Sequence, residues 1–177
     1  MSLIYFETKI YEINSWKILR FPIKSSENLP SRGMAMIKGT INGVNLETTL
    51  EPDGTGSHWF RLSDSLLKEA NITVGDCASL VVESSNEWNE PDVPLDLKNF
   101  LDAAQLKNEW DTLTTKARWA WIRWIQFTNN PATRQKRIEV ASSMLKSGKK
   151  RPCCFDHSRC TETAVSKNGE LLGPSIN

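Results

Sequence analysis

The chain has 177 residues, of which 39% are hydrophobic and 24% charged, with a formal net charge of +1; this is the composition of an ordinary globular protein of one or two domains and not of a disordered one. No apolar run approaches the ~18 to 20 residues of a membrane span, and the Met-Ser-Leu-Ile-Tyr-Phe-Glu start has neither the basic nor the apolar region of a secretory signal, so the cytoplasm is the expected location. Cys77 stands in a strand-like run while Cys153, Cys154 and Cys160 crowd near the C-terminus, which points to reduced thiols and away from a disulfide framework.

In chain order, Tyr5 to Glu12 and Trp16 to Pro22 are aromatic and β-branched runs around Ile13-Asn14-Ser15, a hairpin pattern. Met34 to Ile41 and Val44 to Leu50 flank Asn42-Gly43, the dipeptide of a two-residue type I′ turn. Val44, Leu46, Thr48 and Leu50 then share one face at period two, predicted to point inward. A flexible Pro52-Asp53-Gly54-Thr55-Gly56-Ser57 loop is expected next, followed by a short strand from His58 to Leu62. Ser63 is placed to cap a short helix ending near Ala70, and Val74-Gly75-Asp76 turns the chain into a strand from Cys77 to Val82. Five or six short strands with one helix suggest a small closed or half-closed barrel.

At Glu90-Pro91-Asp92-Val93-Pro94 the character changes to helical, tryptophan-rich and basic. Residues 116–151 carry ten Lys or Arg against the single acid Glu139, a local net of +9, so the other 141 residues sum to about −8; this layout bears on partners more than on fold. Pro94 suits a first helical position, with Leu97, Phe100, Leu101 and Ala104 on one face. A second short piece is predicted from Gln105 to Leu113. Thr114 is placed to cap a helix striped by Ala117, Ala120, Trp121, Trp124, Ile125 and Thr128, with Trp119 at the edge of the stripe. Asn130 with Pro131 starts a last helix, buried through Ile138, Ala141 and Leu145 and stopped by Gly148. From Pro152 the chain reads as irregular, with Ser166 to Asn177 a mobile tail.

Two stretches carry a family resemblance. Arg32-Gly33, Ile37-Lys38-Gly39-Thr40-Ile41-Asn42-Gly43, the Pro-Asp-Gly loop, His58 and the Val74-Gly75-Asp76 turn resemble the domain of unknown function that precedes YdeI/OmpD-associated domains, whose members have a double-split β-barrel. The second half resembles the YdeI/OmpD-associated domain itself, also labelled a bacteriocin-protection family. The matching residues are Val93-Pro94 with Asp96-Leu97, Trp124-Ile125, Thr133-Arg134 with Arg137-Ile138, and Gly148-Lys149-Lys150-Arg151-Pro152-Cys153-Cys154-Phe155. The matches span most of residues 5–155 and imply a fold and a domain order. The family label records a protective or membrane-protein-associated phenotype and no chemistry.

Candidate sites divide into sharp and bland readings. Arg134 and Arg137 lie beside the buried stripe of the last helix, where their planar forks can hold a carboxylate or phosphate or an internal partner among Asp96, Asp102, Glu109 and Asp111. The tryptophans of residues 110–124 can stack on bases or a sugar or pack in the core, Trp119 being the most open to a ligand. Lys146, Lys149, Lys150 and Arg151 can contact phosphates or an anionic membrane surface or form a solvated helix end. His58 is a ligand-binding candidate, though a surface or edge position is the more ordinary expectation. Cys153, Cys154, His157 and Cys160 hold metal-ligand residue types without a CxxC pair, so no metal is expected; a Cys154 nucleophile with His157 lacks an orienting third group. Gly54-x-Gly56 lacks the Walker lysine. The expectation is an α+β protein: a small double-split β-barrel (residues 1–90), a helical YdeI/OmpD-associated-like domain (91–155) and an irregular tail (156–177). It is expected to be cytoplasmic, without cofactor or membrane span, and to bind or protect without catalysing, its partner an anionic ligand or a protein. The alternative is a nucleic-acid-binding protein using the basic C-terminal helices.

Overall fold

The structure, a computed structural model, describes residues 2–152, 162, 164 and 165. It divides into two units: residues up to Glu87, joined by the described residues Glu162, Ala164 and Val165, and a second unit that begins at Trp88.

The first unit is built on strands β1 (Ile4–Ile13), β2 (Trp16–Arg20), β3 (Ala35–Ile41), β4 (Val44–Pro52), β5 (His58–Arg61) and β6 (Cys77–Ser85). They close into an antiparallel barrel in the order β1-β2-β5-β4-β3-β6. Long strands make the closure possible by pairing in two stretches: β1 meets β6 along Ile4–Lys9 and β2 along Ile10–Ile13. Likewise β4 meets β3 along Val44–Leu50 and β5 at Glu51 and Pro52. The hairpin turns follow from their residues. Asn42 and Gly43 have φ of 48° and 81°, and Asn14 and Ser15 have φ of 47° and 67°, as a type I′ turn requires. Gly39 is needed for a different reason: at φ 155° a Cβ there would lie 2.1 Å from the Val81 carbonyl oxygen on the neighbouring strand.

Alternation along the strands fills the barrel with Ile10, Leu19, Ile37, Ile41, Leu46, Leu50, Phe60, Leu80 and Val82, so the predicted inward face of β4 is the buried one. The opposite face of β1, β2 and β5 carries Ile13, Ile18 and Trp59, which pack with Ala164 and Val165. Those two residues are only 6% and 3% exposed, so the predicted irregular segment contains a piece docked on the barrel wall. The predicted mobile tail, Ser166 to Asn177, lies outside the described residues. A one-turn helix, α1 (Ile23–Ser26), and α2 (Asp64–Glu69), capped by the Ser63 hydroxyl at 3.2 Å from the Leu66 N–H, complete this unit.

The second unit contains α3 (Leu95–Ala103), α4 (Lys107–Asp111), α5 (Thr115–Gln126) and α6 (Pro131–Lys146), so the whole is α+β. Thr114 and Asn130 cap α5 and α6 through their side chains, each satisfying N–H groups that a helix start leaves open. Pro94 sits at the N-cap of α3 with an extended ψ of 142°, one residue earlier than the predicted first helical position. Leu97, Leu101, Trp110, Trp121, Ile125, Ile138, Ala141 and Leu145 form one core. Trp121 is fully buried and meets Trp124 edge-on at 5.9 Å between ring centres.

Candidate functional site

His58 is 1% exposed, not a surface or edge residue. Residues 58, 60 and 62 alternate onto one strand face, so His58 is carried inward with Phe60 and Leu62. Its Nε2 lies 2.8 Å from the Gly33 carbonyl oxygen and Nδ1 3.2 Å from Ser26 Oγ. A carbonyl only accepts, so Nε2 carries a proton and donates it, and the imidazole ties α1 and the turn before β3 to the start of β5. Ser26 Oγ is also 3.0 Å from Ser57 Oγ, whose hydroxyl donates to the Phe21 carbonyl oxygen at 2.5 Å.

The neighbouring glycine loop, expected to be flexible, is organised by Asp53, which is fully buried. Its Oδ1 accepts from the Thr55 N–H at 2.8 Å, the Thr55 hydroxyl at 2.9 Å and the Ser57 N–H at 3.0 Å, while Oδ2 takes Arg20 Nε at 3.1 Å. Burial pushes this carboxyl up, but those donors and the Arg20 charge outweigh it and hold the group below its usual range. Serine, histidine and carboxylate therefore meet here with their polar atoms engaged in holding the barrel end together.

In the helical unit the arginines serve two structural jobs. Arg134 pairs with Asp96 through Nε–Oδ2 at 2.6 Å and Nη2–Oδ1 at 2.9 Å, one of the internal acids foreseen for it. The Arg134 hydrogen bond is the main reason that the Asp96 carboxyl is held below its usual range. Arg137 has no acidic partner among the described residues: its Nη1 donates to the Trp124 and Phe127 carbonyl oxygens at 2.6 and 2.8 Å, closing the C-terminus of α5 where unpaired carbonyls accumulate. Its guanidinium also lies 5.5 Å from the centre of the Trp124 ring. Arg118, not singled out from sequence, does the same for α4: its Nη1 donates to the Leu113 carbonyl oxygen at 2.6 Å, and its Nε to Glu90 at 3.0 Å. The first turn of α6 is closed by the Asn130 carboxamide oxygen, which accepts from the Ala132 and Thr133 N–H groups at 2.9 and 3.3 Å. Trp119 is half-buried and donates its indole N–H to the Asn89 carbonyl oxygen at 2.7 Å.

The remaining cations sort themselves by partner. Lys116 lies over the Trp88 ring at 5.4 Å, Lys136 is 3.9 Å from Glu139 and Arg123 is buried in α5. Lys146, Lys149, Lys150 and Arg151 are all exposed, and no ion pair joins any of them to another described residue. Their backbone is fixed: Gly148 turns at φ 81°, the Lys149 N–H returns to the Met144 carbonyl oxygen at 2.9 Å, and the Lys150 carbonyl oxygen accepts from the Trp121 indole N–H at 3.1 Å. The group Cys153, Cys154, His157 and Cys160 lies outside the described residues, and no metal-binding cluster occurs among the described ones.

One opening in this unit was not signalled by any motif. Val93, Leu101 and Trp110, with Lys98, Asp102, Lys107 and Asp111, line a cavity of about 310 Å³.

No helix among the described residues is long and apolar enough to cross a membrane. No curated protein matches the chain significantly. Two family models do: residues 6–82 match a domain of unknown function (DUF1905), and residues 90–148 match the family described as bacteriocin-protection, YdeI or OmpD-associated. The chain therefore carries, in this order, a segment similar to the DUF1905 domain over its barrel and a segment similar to the YdeI- or OmpD-associated domain over its helices, the arrangement that its residues resemble.

Proposed function

We propose that this protein works in the cytoplasm by binding an anionic partner, foremost an acidic protein surface, in a protective role of the kind its family description names, and not by catalysis. The observation that carries this reading is the sorting of charge on the helical unit. Arg118, Arg134, Lys136 and Arg137 have carboxylate or carbonyl partners, whereas Lys146, Lys149, Lys150 and Arg151 stand together, exposed and without an ion pair among the described residues. A cluster of this kind, close along a backbone tied to Trp121, presents several cations together, which favours a polyanion over a single small ion. The engagement of His58, Ser26, Ser57 and Asp53 in barrel contacts supports binding over catalysis. The double-split description of the barrel belongs to the same reading and is supported by the division of β1 between β2 and β6.

Nucleic acid is the second reading, supported by the +9 charge of residues 116–151 and opposed by the environment of the tryptophans. Trp121 is buried and Trp119 and Trp124 are half-buried, so they offer poor platforms for base stacking. The test is a titration of the full chain with a labelled poly-glutamate peptide, duplex DNA and single-stranded RNA at low and moderate salt. Binding of the acidic peptide that is lost when Lys146, Lys149, Lys150 and Arg151 are together changed to Gln supports the proposal. Binding only to nucleic acid, with a salt slope reduced by about one unit per contact removed, replaces it with the second reading. No binding to any of the three at tens of micromolar protein rejects both.

A further inference from the structure

The cavity beside α3 and α4 is a separate feature, and its lining specifies a ligand. Its walls are preformed. The α3 to α4 turn is locked by the Leu106 N–H on the Leu101 carbonyl oxygen at 2.9 Å and the Gln105 N–H on the Asp102 carbonyl oxygen at 3.1 Å, with Gln105 at φ 56°. Val93 comes from the extended stretch between Pro91 and Pro94. The floor is apolar: Leu101 and Trp110 are 4% and 6% exposed and belong to the core of the helical unit. The rim carries two cations and two carboxylates.

Those four charges are not equivalent. Lys107 and Asp111 already pair at 2.6 Å, four residues apart on α4. Lys98 and Asp102 are also four apart, on α3, yet no ion pair joins either of them to another described residue, although the Lys107 charge also acts on Asp102. Setting aside the existing pair leaves one exposed ammonium and one exposed carboxylate on successive turns, above an apolar floor that ends in an indole. A ligand of a single charge would leave one of these poles facing its own sign.

We propose that this cavity binds a small zwitterion with an apolar side chain, a free α-amino acid of the leucine or phenylalanine type, with its carboxylate on Lys98, its ammonium on Asp102 and its side chain on Leu101 and Trp110. The volume stands at the lower end of the roughly 300–1,000 Å³ range of ligand sites, which suits an amino acid and is too small for a dinucleotide or a folded partner. Lys107 and Asp111 complete the rim as a neutral pair.

The experiment is calorimetric titration of the full chain with L-phenylalanine and L-leucine, with N-acetyl-L-phenylalanine and L-phenylalaninamide as ligands that each lack one charge. The variants Lys98→Met and Asp102→Asn are exposed and leave the core intact. Saturable binding of the free amino acids is expected, weakened about tenfold or more by either variant, as for loss of a charged hydrogen bond. The acetylated ligand should respond to Lys98→Met and not to Asp102→Asn, and the amide the reverse. A Trp110 indole N–H resonance, assigned by its disappearance in Trp110→Phe, should shift on binding in the parent chain. Absence of saturable binding of both amino acids at low-millimolar concentration overturns the proposal. So does binding that neither variant alters, or acetylated and amidated ligands that bind as well as the free amino acid.

Discussion

Arg134 and Asp96 meet as two planar groups, Nε to Oδ2 at 2.6 Å and Nη2 to Oδ1 at 2.9 Å, and so join α6 to the first turn of α3 across 38 residues of sequence. Asp96 is 45% exposed in its side chain and Arg134 28%, so solvent screens the pair. Arg134→Met should lower stability by about 1 kcal/mol, and the double variant with Asp96→Asn should show a coupling of the same order in urea melts. Added phosphate should raise the melting temperature of parent and variant equally; a stabilisation lost only in the variant would make Arg134 a ligand site.

Arg137 is predicted to matter more, because it serves carbonyl groups instead of a carboxylate that could find water. Arg137→Met leaves the Trp124 and Phe127 carbonyl oxygens without their donor and should cost about 1–3 kcal/mol. Arg137→Lys should recover only part of this, since an ammonium lacks the planar fork that reaches two carbonyl oxygens while lying near the Trp124 ring. A lysine variant as stable as the parent would show that charge alone suffices.

Asp53 gives the barrel a defined acid sensitivity. Its carboxyl is held below the unfolded value, so its contribution is present above about pH 3.9 and lost as pH falls through the lower, folded value. Asp53→Asn should therefore cost about 1–3 kcal/mol near neutrality, and the gap to the parent should narrow only below about pH 4. Equilibrium unfolding at a series of pH values measures the gap, and a gap that closes nearer pH 6 would assign it to another group.

Gly39→Ala tests the crossing of β3 and β6. A methyl group 2.1 Å from the Val81 carbonyl oxygen has only backbone to push against, and the positive φ adds strain, so a loss of about 3 kcal/mol or more is expected by thermal or chemical melt. A neutral substitution would mean that the two strands can part there.

Sequence was most informative where the cause is local. Asn42-Gly43 sets its own turn, Ser63, Thr114 and Asn130 cap the helices they precede, and Trp121 and Ile125 fall on the buried stripe because helical spacing puts them there. The site residues were harder because their partners are distant in the chain. His58 depends on Ser26 and Gly33, 32 and 25 residues away, and its polar ring suggested solvent although Phe60 and Leu62 on the same face already pointed inward. Asp53 could have been read as the organiser of its loop, since an aspartate before Gly-Thr-Gly-Ser invites local hydrogen bonds. The brief α1 helix has four residues and too short a pattern to see. The cavity of Lys98, Asp102 and Trp110 has no motif at all; it exists only once α3 and α4 are folded against each other.

Ala164 and Val165, seated on Ile13, Ile18 and Trp59, give the chain the connectivity of a loop within a domain. The helical unit leaves the barrel unit after Glu87 and the chain is part of the barrel unit again by Val165, so the helices are an insertion held at both ends and not an appendage. A cut anywhere in the helical unit would leave two fragments that each carry described residues of the barrel unit.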